Sequence, residues 1–116
     1  MKTVITFEDL LTDYFLNKFL RPATEWSYRK VVNTFSEFAG EDKLPGSVTR
    51  TDVLKWRSYV LNEQGSSKRT WNNKVAHMRA LFNHAIKYQF ITDKENPFQL
   101  VVVKPDIKRK KPLQGD

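Results

Sequence analysis

Four runs of apolar residues recur at spacings of three and four, each fenced by proline, glycine or a capping residue, and this pattern commits the chain to helices. The first opens at Thr6 with Asp9 three residues on, so that the Thr6 hydroxyl can accept from an otherwise unpaired N–H of the first turn. Phe7, Leu10, Leu11, Tyr14, Phe15 and Phe19 form its stripe, and Arg21-Pro22 ends it because proline cannot continue the ladder. Pro22 suits the first turn of a second helix with Tyr28, Val31, Val32, Phe35, Phe38 and Ala39 as its buried stripe and Gly40 just past its end. After a loop at 41–48 containing Pro45-Gly46, Thr49 and Asp52 repeat the capping pattern ahead of Val53, Leu54, Trp56, Tyr59 and Val60. Gly65 closes that helix. Ser66 or Ser67 then caps the longest one, roughly residues 68–88, with Trp71, Val75, Met78, Phe82 and Ala85 on one face. Asn96-Pro97-Phe98 closes the globular part, and Val101–Val103 reads as a short strand or as extended chain. The expected fold is all-α, a four-helix bundle with short connections.

At 116 residues there is sequence for one hydrophobic core, and the 40% apolar share is enough to fill it. The chain has no cysteine, which excludes disulfides and thiolate metal sites. No window approaches the roughly 20 apolar residues of a membrane span, and the first residues are acidic where a signal peptide would be apolar. A cytoplasmic protein without membrane contact is expected. The net charge of +7 is unevenly placed. Between Glu63 and Asp93 no acidic residue occurs, yet Lys68, Arg69, Lys74, Arg79 and Lys87 fall there, and Lys108, Arg109, Lys110 and Lys111 form a second basic run. Segregated charge of this kind makes a local positive field that polyanions feel.

A helix that buries one stripe offers the other to something else. Opposite Trp71 and Phe82 the fourth helix carries Arg69, Asn73, Ala76, Ala80, Asn83, His84 and Lys87, with His77 at the edge and Lys68 and Lys74 nearby. Its charges are all of one sign, and Ala76 and Ala80 would let a groove come close while Asn and Arg reach base edges. The second helix presents Trp26, Arg29, Lys30, Asn33 and Glu37. Trp26 either packs on a neighbouring loop or meets a sugar-phosphate backbone. An ordinary solvated basic face is the plain alternative for both helices.

Catalytic groups do not assemble from this sequence. His77 and His84 are seven apart and not four, so one helix face does not give them to a shared zinc. The carboxylate pairs Glu8-Asp9 and Glu41-Asp42 fall at a helix start and in a loop, and no glycine-rich loop precedes a helix to cradle a phosphate. No metal, cofactor or catalytic residue is expected in this chain.

The order of features resembles the N-terminal core-binding (SAM-like) domain of the tyrosine recombinases, the phage-integrase family. The residues that carry it are Phe7 to Phe19, Thr24-x-x-x-Tyr28, Phe35-x-x-Phe38, Val48-Thr49-x-x-Asp52-Val53-x-x-Trp56, Gly65-Ser66-Ser67-x-x-Thr70-x-Asn72, Leu81-Phe82-Asn83-x-Ala85-Ile86 and Asn96-Pro97-Phe98. Tyr88-Gln89-Phe90-Ile91 departs from it, having no glycine where the family often turns. The resemblance implies a DNA-binding domain over 1–98 and a basic linker over 99–116 toward a catalytic domain outside this chain. It implies double-stranded DNA, that catalytic domain and other recombinase protomers as partners, a bacterial or phage origin, and an isolated domain that is monomeric. Helices two and four would face the major groove. Arg29, Lys30, Arg69, Lys74 and Lys87 would then neutralise phosphates, Asn73, His77, Asn83 and His84 would reach base edges or bridging waters, and Asn33, Lys68, Lys108, Arg109 and Lys110 are further DNA-binding candidates. A helical protein-interaction domain, a helix-turn-helix regulator and a self-contained nuclease are the rival readings.

Overall fold

A computed structural model describes residues 5–91 and 95–103. The four helices are α1 (Phe7–Lys18), α2 (Pro22–Ala39), α3 (Arg50–Ser58) and α4 (Lys68–Lys87), with a 3₁₀ turn at Pro45–Ser47 and a π turn at Tyr59–Glu63. The family-type all-α architecture expected from the sequence is what forms, and no strand occurs among the described residues.

Helix starts follow local chemistry. Thr6 Oγ1 accepts from Asp9 N at 3.0 Å while Asp9 Oδ2 accepts from Thr6 N at 3.2 Å. Thr49 and Asp52 repeat this at 3.1 and 3.0 Å, and Ser67, not Ser66, caps α4 by accepting from Thr70 N. Two ends depart from expectation. Phe19 does not continue the α1 stripe: it is the C-cap, left-handed at φ 51°, and 96% exposed. The helix therefore stops one turn before Pro22. Tyr59 also leaves the buried stripe, because the wider π turn swings it outward against Phe38, with ring centroids 5.1 Å apart. Gly65, at φ 67°, then reverses the chain where a side chain would be strained.

The core is aromatic. Phe35 meets Trp56 edge-on at 4.9 Å, Trp56 meets Trp71 at 5.2 Å, and Phe82 meets Phe98 at 5.0 Å. Leu81, which the α4 stripe did not include, is fully buried beside Phe82. Packing does not stop at Phe98, past the boundary expected there: Val101 is fully buried, and the chain stays engaged through Val103. Of the two readings, a strand or extended chain, the second holds: residues 101–103 form no strand. Side chains grip its backbone. Trp71 Nε1 and Arg57 donate to the Val101 carbonyl at 2.9 and 3.3 Å, and Arg50 donates to the Gln99 and Leu100 carbonyls. Asn72 pairs both ways with Val103, at 2.7 and 2.9 Å, much as a neighbouring strand would.

Candidate nucleic-acid interface

Beneath the outer face of α4 runs a string of rings from three helices. His77 meets Tyr28 at 4.6 Å, Tyr28 meets Tyr14 at 5.1 Å, Tyr14 meets His84 at 5.2 Å, and His84 meets Tyr88 at 4.6 Å. The Tyr14 and Tyr28 hydroxyls lie 3.1 Å apart, and burial followed by that contact pushes the Tyr28 hydroxyl well above its ordinary range. Tyr28 stays neutral, and the string forms an apolar floor that fixes α1, α2 and α4 relative to one another.

Two hollows open above this floor. The first, of about 260 Å³, lies between α2 and α4 and is lined by Trp26, Lys30, Thr70, Asn73, Lys74 and His77 among others. It brings together four of the candidates read from the two helices. Lys30 and Lys74 are close enough that each opposes the charge of the other, and Lys74 is held below its usual range, first by burial and then by Lys30. No carboxylate is paired with either lysine among the described residues. Trp26 does not pack on a loop; it is 61% exposed at the lip, with the Lys30 ammonium 5.0 Å over its ring. His77 Nδ1 lies 2.7 Å from the Asn73 carbonyl, so that nitrogen carries the proton.

The second hollow, about 300 Å³, lies between the C-terminal halves of α1 and α4, and its lining includes Asn17, Lys18, Asn83, Lys87 and Tyr88. Lys87 is exposed, with Tyr88 beneath its ammonium at 5.5 Å. Asn83 is exposed too, but its Oδ1 is taken by Asn96 Nδ2 at 2.8 Å, which leaves only its amide N–H groups for a ligand.

The remaining candidates divide. Arg69 is exposed and Lys68 half-buried at the start of α4, whose first turn contains no acidic residue of its own. Arg29 is partnered by Glu8 at 3.1 Å in an exposed pair. Asn33 lies apart, lining a groove of about 750 Å³ with Glu8, Glu37, Glu41 and Asp42. The acidic wall of that groove repels polyanions. His84 is a correction: it is only 5% exposed, with Nε2 bonded to Asp13 Oδ2 at 2.7 Å, and cannot reach a base edge. Lys108, Arg109 and Lys110 lie outside the described residues. Trp26 and Lys18, exposed beside these hollows, are what reading single helix faces left undecided or missed, since the hollows form only where helices meet.

Among the described residues no three His, Cys, Asp or Glu side chains gather to hold a metal, and no helix is long and apolar enough to cross a membrane. Residues 7–91 match the family described as phage integrase, N-terminal SAM-like domain. Two bacterial proteins named tyrosine recombinase XerC are similar over 97% of this chain: one from Pseudomonas syringae, 32% identical over 112 residues, and one from Pseudomonas aeruginosa, 31% identical over 113. The chain spans 23% of the length of the first and 26% of the second. No solved structure matches it.

Proposed function

This chain belongs to the N-terminal SAM-like domain family of phage integrases, and on that premise we propose that it grips duplex DNA at the core site of a site-specific recombination. It would be the non-catalytic half of a clamp whose cutting half lies elsewhere in a longer recombinase. The observation that carries this is the cleft between α2 and α4, where Lys30 and Lys74 face each other with no carboxylate among the described residues paired to either. A phosphate entering there relieves their repulsion and supplies the missing counter-charge. Arg69 adds positive charge at the helix end whose dipole is already positive, an arrangement that disfavours the free helix and favours a bound anion.

Roles follow from position. Lys30, Lys74, Arg69 and Lys87 would hold phosphates and set the register. Asn73, His77 and the amide of Asn83 would meet base edges, over the small side chains of Ala76 and Ala80. Four to six phosphate contacts correspond to a log–log salt slope of about −4 to −5. Replacing both Lys30 and Lys74 by alanine is expected to make that slope shallower by about 1.8 and to weaken binding of a labelled duplex by anisotropy. Unchanged affinity in the double variant, with its helical signal intact, would refute the cleft as the seat of DNA.

A second contact, with other recombinase protomers, is favoured by Phe19 and Leu16, large apolar side chains left exposed at the end of α1. It uses another surface and is compatible with DNA on α4.

A further inference from the structure

We infer that Asn96 is a positioning residue that locks the Asn83 carboxamide with its NH2 group outward, so that Asn83 favours a guanine edge over adenine. This rests on the DNA-binding reading above and deepens it by naming what one position of α4 selects. An asparagine left free serves either kind of partner, because half a turn of its carboxamide exchanges the carbonyl oxygen for the NH2 group. On a helix in the major groove such a side chain takes adenine, donating to N7 and accepting from N6. Asn83 is exposed, yet it is not free.

The lock begins at a backbone donor. Phe98 N–H donates to Asn96 Oδ1 at 2.9 Å, which fixes the oxygen side of the Asn96 carboxamide. Asn96 Nδ2 lies on the other branch and donates to the Arg79 carbonyl at 3.0 Å and to Asn83 Oδ1 at 2.8 Å. Arg79 and Asn83 lie one turn apart on α4, so a single NH2 group reaches both. Backbone thus holds both branches of Asn96, and both of its Nδ2 protons are committed. Turning Asn83 over would set its NH2 group against that of Asn96, two donors with no acceptor between them. Asn96 is only 6% exposed, so the misplaced donor would carry its full desolvation cost. The Asn83 nitrogen has no partner among the described residues. What α4 offers at this position is therefore a pair of donors. In the major groove guanine presents N7 and O6, both acceptors, and thymine presents O4. Adenine sets its N6 donor beside N7, and cytosine brings its N4 donor. An adenine N6 would have to share Asn83 Oδ1 with Asn96, whereas guanine meets the NH2 group unopposed.

The test uses this chain and a pool of duplexes randomised at their central base pairs, the bound fraction being recovered at low salt and sequenced. One position is expected to favour guanine over adenine by about tenfold. Asn83→Ala should remove that preference and leave the others. Asn83→Asp keeps one oxygen for Asn96 and presents the second to the base, so it should move the preference to cytosine. Asn96→Ala, checked by its helical signal, frees the carboxamide to turn over, and adenine should then recover to parity with guanine. Guanine preference that survives in this folded variant would take the positioning role from Asn96. The lock is also read without DNA or substitution, from proton exchange of the side-chain amides in the parent chain. There the Asn96 NH2 group is expected to be protected and the Asn83 NH2 group to exchange rapidly with water. An unprotected Asn96 NH2 group, or an adenine preference that Asn83→Ala erases, would overturn the lock. If Asn83→Ala changes no position in the pool, Asn83 reads no base. Failure of the parent chain to bind any duplex at low salt would instead remove the DNA-binding reading, with the exchange result unaffected.

Discussion

Lys74 shows a residue held against its own preference. Burial and the charge of Lys30 keep its ammonium below the usual lysine range in the folded chain, whereas the unfolded chain restores it. Between those two values the unfolded state binds more protons, so stability rises with pH through that window, and below it the full penalty is present. Lys74→Met is therefore expected to raise the melting temperature at neutral pH while weakening duplex binding; a lower melting temperature would show that Lys74 serves the fold instead. Most of the outer face of α4 was legible, since Arg69, Asn73, Ala76 and Lys87 are exposed as their spacing implies. His84 was not. A helical wheel gives the direction of a side chain, not how far neighbouring helices wrap around, and α1 reaches far enough for Tyr14 and Asp13 to enclose it.

At the scale of elements, starts were readable, and so were the stops at Gly40 and Gly65, but the Phe19 end of α1 and the π turn after α3 were not. Thr6/Asp9 and Thr49/Asp52 each close a reciprocal pair within three residues, so the sequence itself contains both partners. Thr49→Ala is expected to cost about 1 kcal/mol, read as a shift in the denaturation midpoint. Asp52 adds a pH dependence. Burial pushes its carboxyl up, but the Lys43 ammonium at 2.9 Å and the Thr49 donors outweigh that and hold it below the ordinary range. The folded value is the lower one, so this stabilisation is present above the ordinary carboxylate range and is lost as pH falls from about 4 toward the folded value. Asp52→Asn should flatten that acid limb in melting curves taken across it; an unchanged limb would mean the pair contributes nothing. The Phe19 and π-turn ends were decided by remote packing. Neither the left-handed Phe19 nor the π turn that turns Tyr59 outward has a local signal of the strength of a capping box.

For the whole molecule, the least legible feature is how the chain leaves the bundle. Contacts that hold residues 99–103 join side chains to backbone carbonyls at sequence separations from 30 to 50, and such contacts leave no period in the sequence. A chain ending at Phe98 is expected to be less stable than one ending at Val103 by roughly 3 kcal/mol, from the lost burial of Val101 and the orphaned indole N–H of Trp71. Equal denaturation midpoints would show the clasp to be ornamental. The same core has an optical consequence. Of the three tryptophans, Trp56 and Trp71 are fully buried and only Trp26 is open, at the lip of the basic cleft. A collisional quencher dissolved around the protein meets that one indole and not the others. The quenchable part of the emission is therefore a lamp fixed at the cleft, and its shielding registers whatever settles there without any label being attached.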